Sequence, residues 1–198
     1  MKTPFVIFGS LLIASAVSLA DDKPTIDQAV AGWPQGPRDA ARELAKKYGA
    51  PDEVTPSMLV WNDTGPWKRT VVHRKEVQHD WPEPHTDFVE QFIDYKVPVD
   101  KFDDLAAFDG SVIAERTKGE LSARCAKEAM NFLAINLAHD VARGATKVED
   151  ARKRYEQAAA AFMANKPQPI TQKLMFQPVV GQTGDPDRPA KPSKAASR

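Results

Sequence analysis

The chain reads as an α+β domain: a small, mostly antiparallel sheet of three to four strands packed against a long helix and flanking helices. Three observations predict this class. Short runs rich in Val, Ile, Thr and aromatic residues follow one another at 58–61, 67–77, 87–97 and 111–116, separated by turn residues. The longest helical patterns come after these runs and do not alternate with them, so the strand–helix rhythm of a parallel sheet is missing. The 16 prolines gather in loops and in the C-terminal stretch, as in a compact domain with an irregular end.

The first twenty residues belong to targeting. Lys2 is a short positive region, Phe5 to Val17 an apolar run, and Ser18-Leu19-Ala20 a small-residue cleavage site before Asp21-Asp22. The run is short for a membrane span. The organisation expected is a signal peptide over 1–20, one α+β domain over 21–165 and a Pro-rich tail over 166–198 whose last part is disordered, in a periplasmic or secreted protein. No cysteine stands directly after the apolar run, so a lipoprotein anchor is not expected. The formal net charge is +0, which provides no basic field for nucleic acid. Cys125 is the only cysteine, so the core must be stable without an internal disulfide.

Thr25 and Gln28 form a capping-box pattern that starts a short helix. A helix over 37–48 follows, with Pro37 in the first turn, a stripe of Ala40, Ala41, Leu44, Ala45 and Tyr48, and Gly49 as stop. Residues 58–61 are a strand, and 62–66 (NDTGP) a turn. Residues 67–77 form the next strand, 78–84 a loop fixed by Pro82 and Pro84, and 87–97 a strand. In this strand Val89, Ile93, Tyr95 and Val97 face the core, with Gln91 interrupting. A short helix over 100–108 and a strand over 111–116 come next. Thr117 and Glu120 make a capping-box pattern that opens the long helix, predicted to run to about Arg143. Thr146 and Glu149 open another, running to about Asn165. The tail from Lys166 is expected to drape over the domain through Ile170, Leu174, Met175 and Phe176.

Within the predicted long helix, Cys125 and His139 are fourteen residues apart. At 1.5 Å per residue this is roughly 21 Å, so they cannot form a nucleophile–base pair. Cys125 reads as a small buried residue. Glu128 stands beside an apolar arc and needs partners; Arg124, Asn131 or Arg116 could supply them, and a structural ion pair outweighs an acid/base role. Asn136 and Asp140 read as polar residues satisfied by loop backbone.

The stretch from His79 to Asp87 is the best metal candidate. It holds two histidines and three acids, and imidazole and carboxylate suit zinc or a similar divalent ion. The candidate ligands are His79, His85 and Asp87, with His73 as a possible addition; Glu128 and His85 are the candidates for acid/base chemistry. Trp33, Trp61, Trp67 and Trp81 sit near loops, where they either staple the loops to the core or form a platform for a glycan or peptide. Lys68, Arg69, Arg74 and Lys75 read as a solvated face. No phosphate loop, dinucleotide fingerprint, CxxC pair or Gly-x-Ser-x-Gly elbow occurs, so no cofactor is expected beyond a divalent metal.

Residues 47–54 (KYGAPDEV) with Leu59-Val60-Trp61 resemble the helix, Gly-x-Pro turn and Trp-bearing strand of small outer-membrane-assembly lipoproteins of the SmpA/OmlA type. The lipidated cysteine of that family is absent. Residues 61–152, with GPWKRTVV, HTDFVEQFIDYKVP, DGSVIAERTKGELSARC and EAMNFLAINLAHD, resemble a group of exported bacterial proteins without an assigned activity, which implies location and fold but no chemistry. The function expected is a non-catalytic binding or structural module of the envelope, with an envelope protein or glycan as partner. The alternative is an envelope hydrolase or metal-binding protein using the His79–Asp87 stretch.

Overall fold

The computed structural model describes residues 24–179 and 181–190, so the predicted signal peptide lies outside the described residues. Helices α1 (Ile26–Ala29) and α2 (Gln35–Tyr48) lead into strands β1 (Glu53–Val54), β2 (Met58–Thr64), β3 (Trp67–His79) and β4 (His85–Asp94). Helix α3 (Phe102–Phe108), the hairpin of β5 (Val112–Glu115) and β6 (Glu120–Cys125), and helices α4 (Glu128–Ala142) and α5 (Val148–Met163) follow. The strands form one sheet in the order β1-β2-β3-β4-β6-β5, antiparallel throughout. The class is α+β as expected. The strand number is six, not three to four.

The extra strands come from two places. β1 is a two-residue edge piece. β6 occupies the stretch expected to be the first turns of the long helix. Thr117 to Gly119 form a turn, with Gly119 at φ +67°, and the helix begins only at Glu128. Leu121, Ala123 and Cys125 alternate with Glu120, Ser122 and Arg124, a period-two pattern that six residues cannot separate from a helical one. Pairing decides it: β6 lies between β4 and β5 and satisfies the backbone of both.

Cross-strand rows define the core face. Leu59, Val72, Val89 and Cys125 are in register, as are Trp61, Thr70, Gln91, Ala123 and Val112. α2 covers the β2–β3 end with Ala40, Ala41 and Leu44, joined by Val30 and Trp33. α4 covers the β4–β6 end and is itself enclosed by α3 and α5, so Leu133, Ile135, Leu137 and Ala138 are all fully buried. The expected core face of β4 holds in part: Val89, Ile93 and Val97 are buried and Gln91 is buried among polar partners, but Tyr95 is half-buried and the strand ends at Asp94, before Tyr95 and Val97. On the opposite face, Lys68 pairs with Asp94 and Glu120, Arg69 with Glu120, and Glu90 accepts from Ser122.

The tail is tied down. The Nδ2 of Asn136 donates to the carbonyls of Ile170 and Lys173, and its Oδ1 accepts from the amide of Met175. Phe176 stacks on His139 with ring centroids 3.9 Å apart. Further on, Thr183 Oγ1 donates to the carbonyl of Gly119, and Arg116 pairs with Asp185 and Asp187. The expectation of disorder at the C-terminal end falls in part on residues 191–198, outside the described residues.

Candidate functional site

The connection expected over 78–84 is shorter, residues 80–84, because strands extend into both ends of the His79–Asp87 stretch. β3 runs to His79 and β4 starts at His85, with a short connection containing a cis Trp81–Pro82 bond. His79 and His85 are therefore directly paired across the hairpin, with ring centroids 5.0 Å apart. Asp87 lies two residues beyond His85, so pleating turns both side chains to one face. The three sequence candidates thus converge: their ligand atoms lie within 4.8 Å of one another.

Each member has definite neighbours. Asp87 is fully buried; Ser111 Oγ donates to its Oδ2. His85 Nε2 is 3.1 Å from Asp87 Oδ1, yet that oxygen receives no well-angled hydrogen bond. His85 Nδ1 lies 2.8 Å from the carbonyl of Glu83. His79 Nδ1 lies 3.3 Å from Asp87 Oδ2 and from Ser111 Oγ, and its Nε2 is 3.8 Å from Asp109 Oδ1. The contact with Asp87, then that with Cys125, pushes His85 up to about 11 despite partial burial. Burial likewise raises the Asp109 carboxyl above its ordinary value. His73 is not part of the group: it faces Glu90 at 3.2 Å on the other side of the sheet.

Cys125 is the residue that helical spacing misplaced. At the end of β6 its Sγ is 3.5 Å from His85 Nε2. The chemistry is nevertheless not that of a relay triad. In a triad the carboxylate holds one ring nitrogen while the other meets the nucleophile. Here Asp87 and Cys125 share Nε2, and Nδ1 is taken by a backbone carbonyl. His139, the other histidine considered with Cys125, meets Tyr95 and Phe176 instead.

Above this group lies a cleft of about 620 Å³ between the hairpin connection, the start of α4 and α5. Met130, Ala159, Ala160, Phe162 and Met163 give it apolar walls, and His85 and Cys125 form part of its floor. Tyr155, buried and pushed well above the ordinary tyrosine range chiefly by that burial, closes the inner end and packs against Trp81 at a tilt, ring centroids 4.6 Å apart.

Glu128 belongs elsewhere. It accepts from Tyr48, Trp67 and Gln91 and pairs with Lys47. None of the partners expected for it, Arg124, Asn131 or Arg116, holds it. Burial alone would raise its carboxyl; the donors, Lys47 first, outweigh burial and leave it below its ordinary value. With its oxygens occupied by donors from α2, β3 and β4, it is a staple between elements. Asn136 meets tail backbone as expected, whereas Asp140 pairs with Arg154. Trp33, Trp61 and Trp67 are buried and Trp81 lies under Arg152, so the first three offer no exposed platform.

No family model, curated protein or solved structure matches the chain. No described helix is long and apolar enough to cross a membrane.

Proposed function

We propose that this chain is an exported, non-catalytic binding module, periplasmic or secreted, that holds a small, largely apolar molecule in the cleft between the β3–β4 connection and α5. The cleft itself carries the reading. Its volume of about 620 Å³ falls in the range of small-molecule sites, which are mostly apolar with a few polar groups to orient the ligand. Lys127, Glu156 and His85 provide such groups at its edges. The signal-like first twenty residues support the compartment. Absence of catalysis is supported by the shared use of His85 Nε2 and by the saturation of Glu128 with donors.

Binding of 1-anilinonaphthalene-8-sulfonate tests this. Saturable fluorescence enhancement at one dye per chain is expected. Ala160→Trp puts a large ring into the cleft from an exposed position of α5 and should weaken the dye at least about tenfold, or about 1.4 kcal/mol. Equal binding by wild type and Ala160→Trp, or no saturable binding, rejects the cleft as the site.

A further inference from the structure

The geometry points to a divalent transition-metal site, suited to zinc, held by His79 Nδ1, His85 Nε2 and a carboxylate oxygen of Asp87 at the buried end of the β3–β4 hairpin. The inference is independent of what the cleft binds.

Two imidazoles face one carboxylate. The far nitrogen of His85 already has an acceptor, the Glu83 carbonyl 2.8 Å from Nδ1, and behind His79 the Asp109 carboxylate lies near, with Oδ1 3.8 Å from Nε2. With protons on those far nitrogens, both rings turn lone pairs toward Asp87. Metal-bound histidines are oriented in this way, by a carbonyl or carboxylate behind the ring. Asp87 is fully buried, and its Oδ1 lacks a well-angled hydrogen bond, so a polar atom points into the site without a proper donor. A buried carboxylate needs positive charge beside it, and a cation held between the two rings and Asp87 would supply it.

The spacing fits as well. Metal–nitrogen and metal–oxygen bonds of about 2.0–2.2 Å in a tetrahedron place neighbouring ligand atoms about 3.3–3.5 Å apart. His85 Nε2 to Asp87 Oδ1 is 3.1 Å, and His79 Nδ1 to the other oxygen, Oδ2, is 3.3 Å, so the carboxylate presents one oxygen to each ring. The third separation lies under 4.8 Å, so small side-chain rotations close the set. Ser111 holds Asp87 from behind through Oδ2. Cys125 borders His85 on the cleft side but is not among the three atoms that cluster. The competing arrangement is a protonated His85 paired with Asp87 and no metal.

Calorimetric titration of the chelator-treated full chain with zinc chloride decides between them. One ion per chain is expected, at least about 100-fold weaker in His79→Ala, His85→Ala and Asp87→Asn, since loss even of outer-shell partners costs 10–100-fold. Cys125→Ser should bind as wild type does. Zinc should raise the melting temperature of wild type and leave that of Asp87→Asn unmoved. X-ray absorption of the zinc-loaded wild type should show imidazole and oxygen ligands without sulfur, a measurement that stands even where a variant does not fold. Absence of saturable binding to wild type, equal binding by His85→Ala and Asp87→Asn, or a sulfur ligand overturns the assignment.

Discussion

Replacing Glu128 by Ala removes the acceptor at the junction of α2, β3, β4 and α4. The side chain is 14% exposed, and Trp67 Nε1 donates to it at 2.7 Å from a ring that is itself buried. That donor has no second acceptor within the described residues, so its loss costs about 1–3 kcal/mol. Gln91 retains Thr70 Oγ1 at 3.2 Å and loses less. Tyr48 and Lys47 are near enough to solvent to regain water, so each adds at most about 1 kcal/mol. The sum is about 1–5 kcal/mol. With a urea slope of about 2 kcal/mol per molar, the unfolding midpoint should fall by roughly 0.5–2.5 M. Glu128→Gln keeps an oxygen for Trp67 but not the charge, and should cost about 1–2 kcal/mol. The pH dependence has a definite sign. The folded carboxyl lies below its ordinary 4.5, so its contribution is fully present above that value and fades as pH falls through the folded pKa. The stability gap between wild type and Glu128→Gln should therefore narrow in acid below about pH 4.5 and stay constant above about pH 6. Urea titrations across that range measure it. A loss under about 1 kcal/mol for Glu128→Ala at neutral pH, or a gap that widens in acid, would refute the staple.

Two further predictions concern the tail. Asn136→Ala leaves three backbone groups of residues 170–175 without their partner, so tail cleavage in limited proteolysis should accelerate and stability should drop by about 2–3 kcal/mol. Unchanged cleavage in the tail would contradict this. Gly119→Ala meets two obstacles: φ is +67°, and a Cβ there would fall 2.2 Å from the carbonyl carbon of Thr183. The left-handed backbone costs about 1–2 kcal/mol, so a fall in melting temperature of about 3–6 °C is expected, together with release of the segment around Thr183. Thr183→Ala should cost less, because it removes only the bond to the Gly119 carbonyl.

Much of the fold was readable locally. The Gly49 stop and the β3 and β4 strands follow from capping and period-two patterning within single segments; the helix after Thr146 also forms, but its N-cap is Lys147 and no side chain caps it, so the expected capping box is not made. The helix expected from Thr117 failed because Leu121, Ala123 and Cys125 alternate over a length at which strand and helix patterns coincide. It also failed because α4 is enclosed by sheet, helices and tail, so its apolar residues spread around the axis and show little of the usual stripe. Asn136 was legible as a residue needing backbone partners, and Glu128 as one side of a structural ion pair; its actual partners were not legible, because its donors come from α2, β3 and β4 and only packing brings them to α4.

Composition and patterns within a dozen residues carry the α+β class, most element positions and the chemical identity of the candidate ligands. Tertiary structure alone decided that His79 and His85 are cross-strand neighbours, that Asp87 turns to the same face, and that Cys125 meets His85 and not His139. Those relations depend on hairpin register and strand order, where one residue of slip reverses every side chain's face.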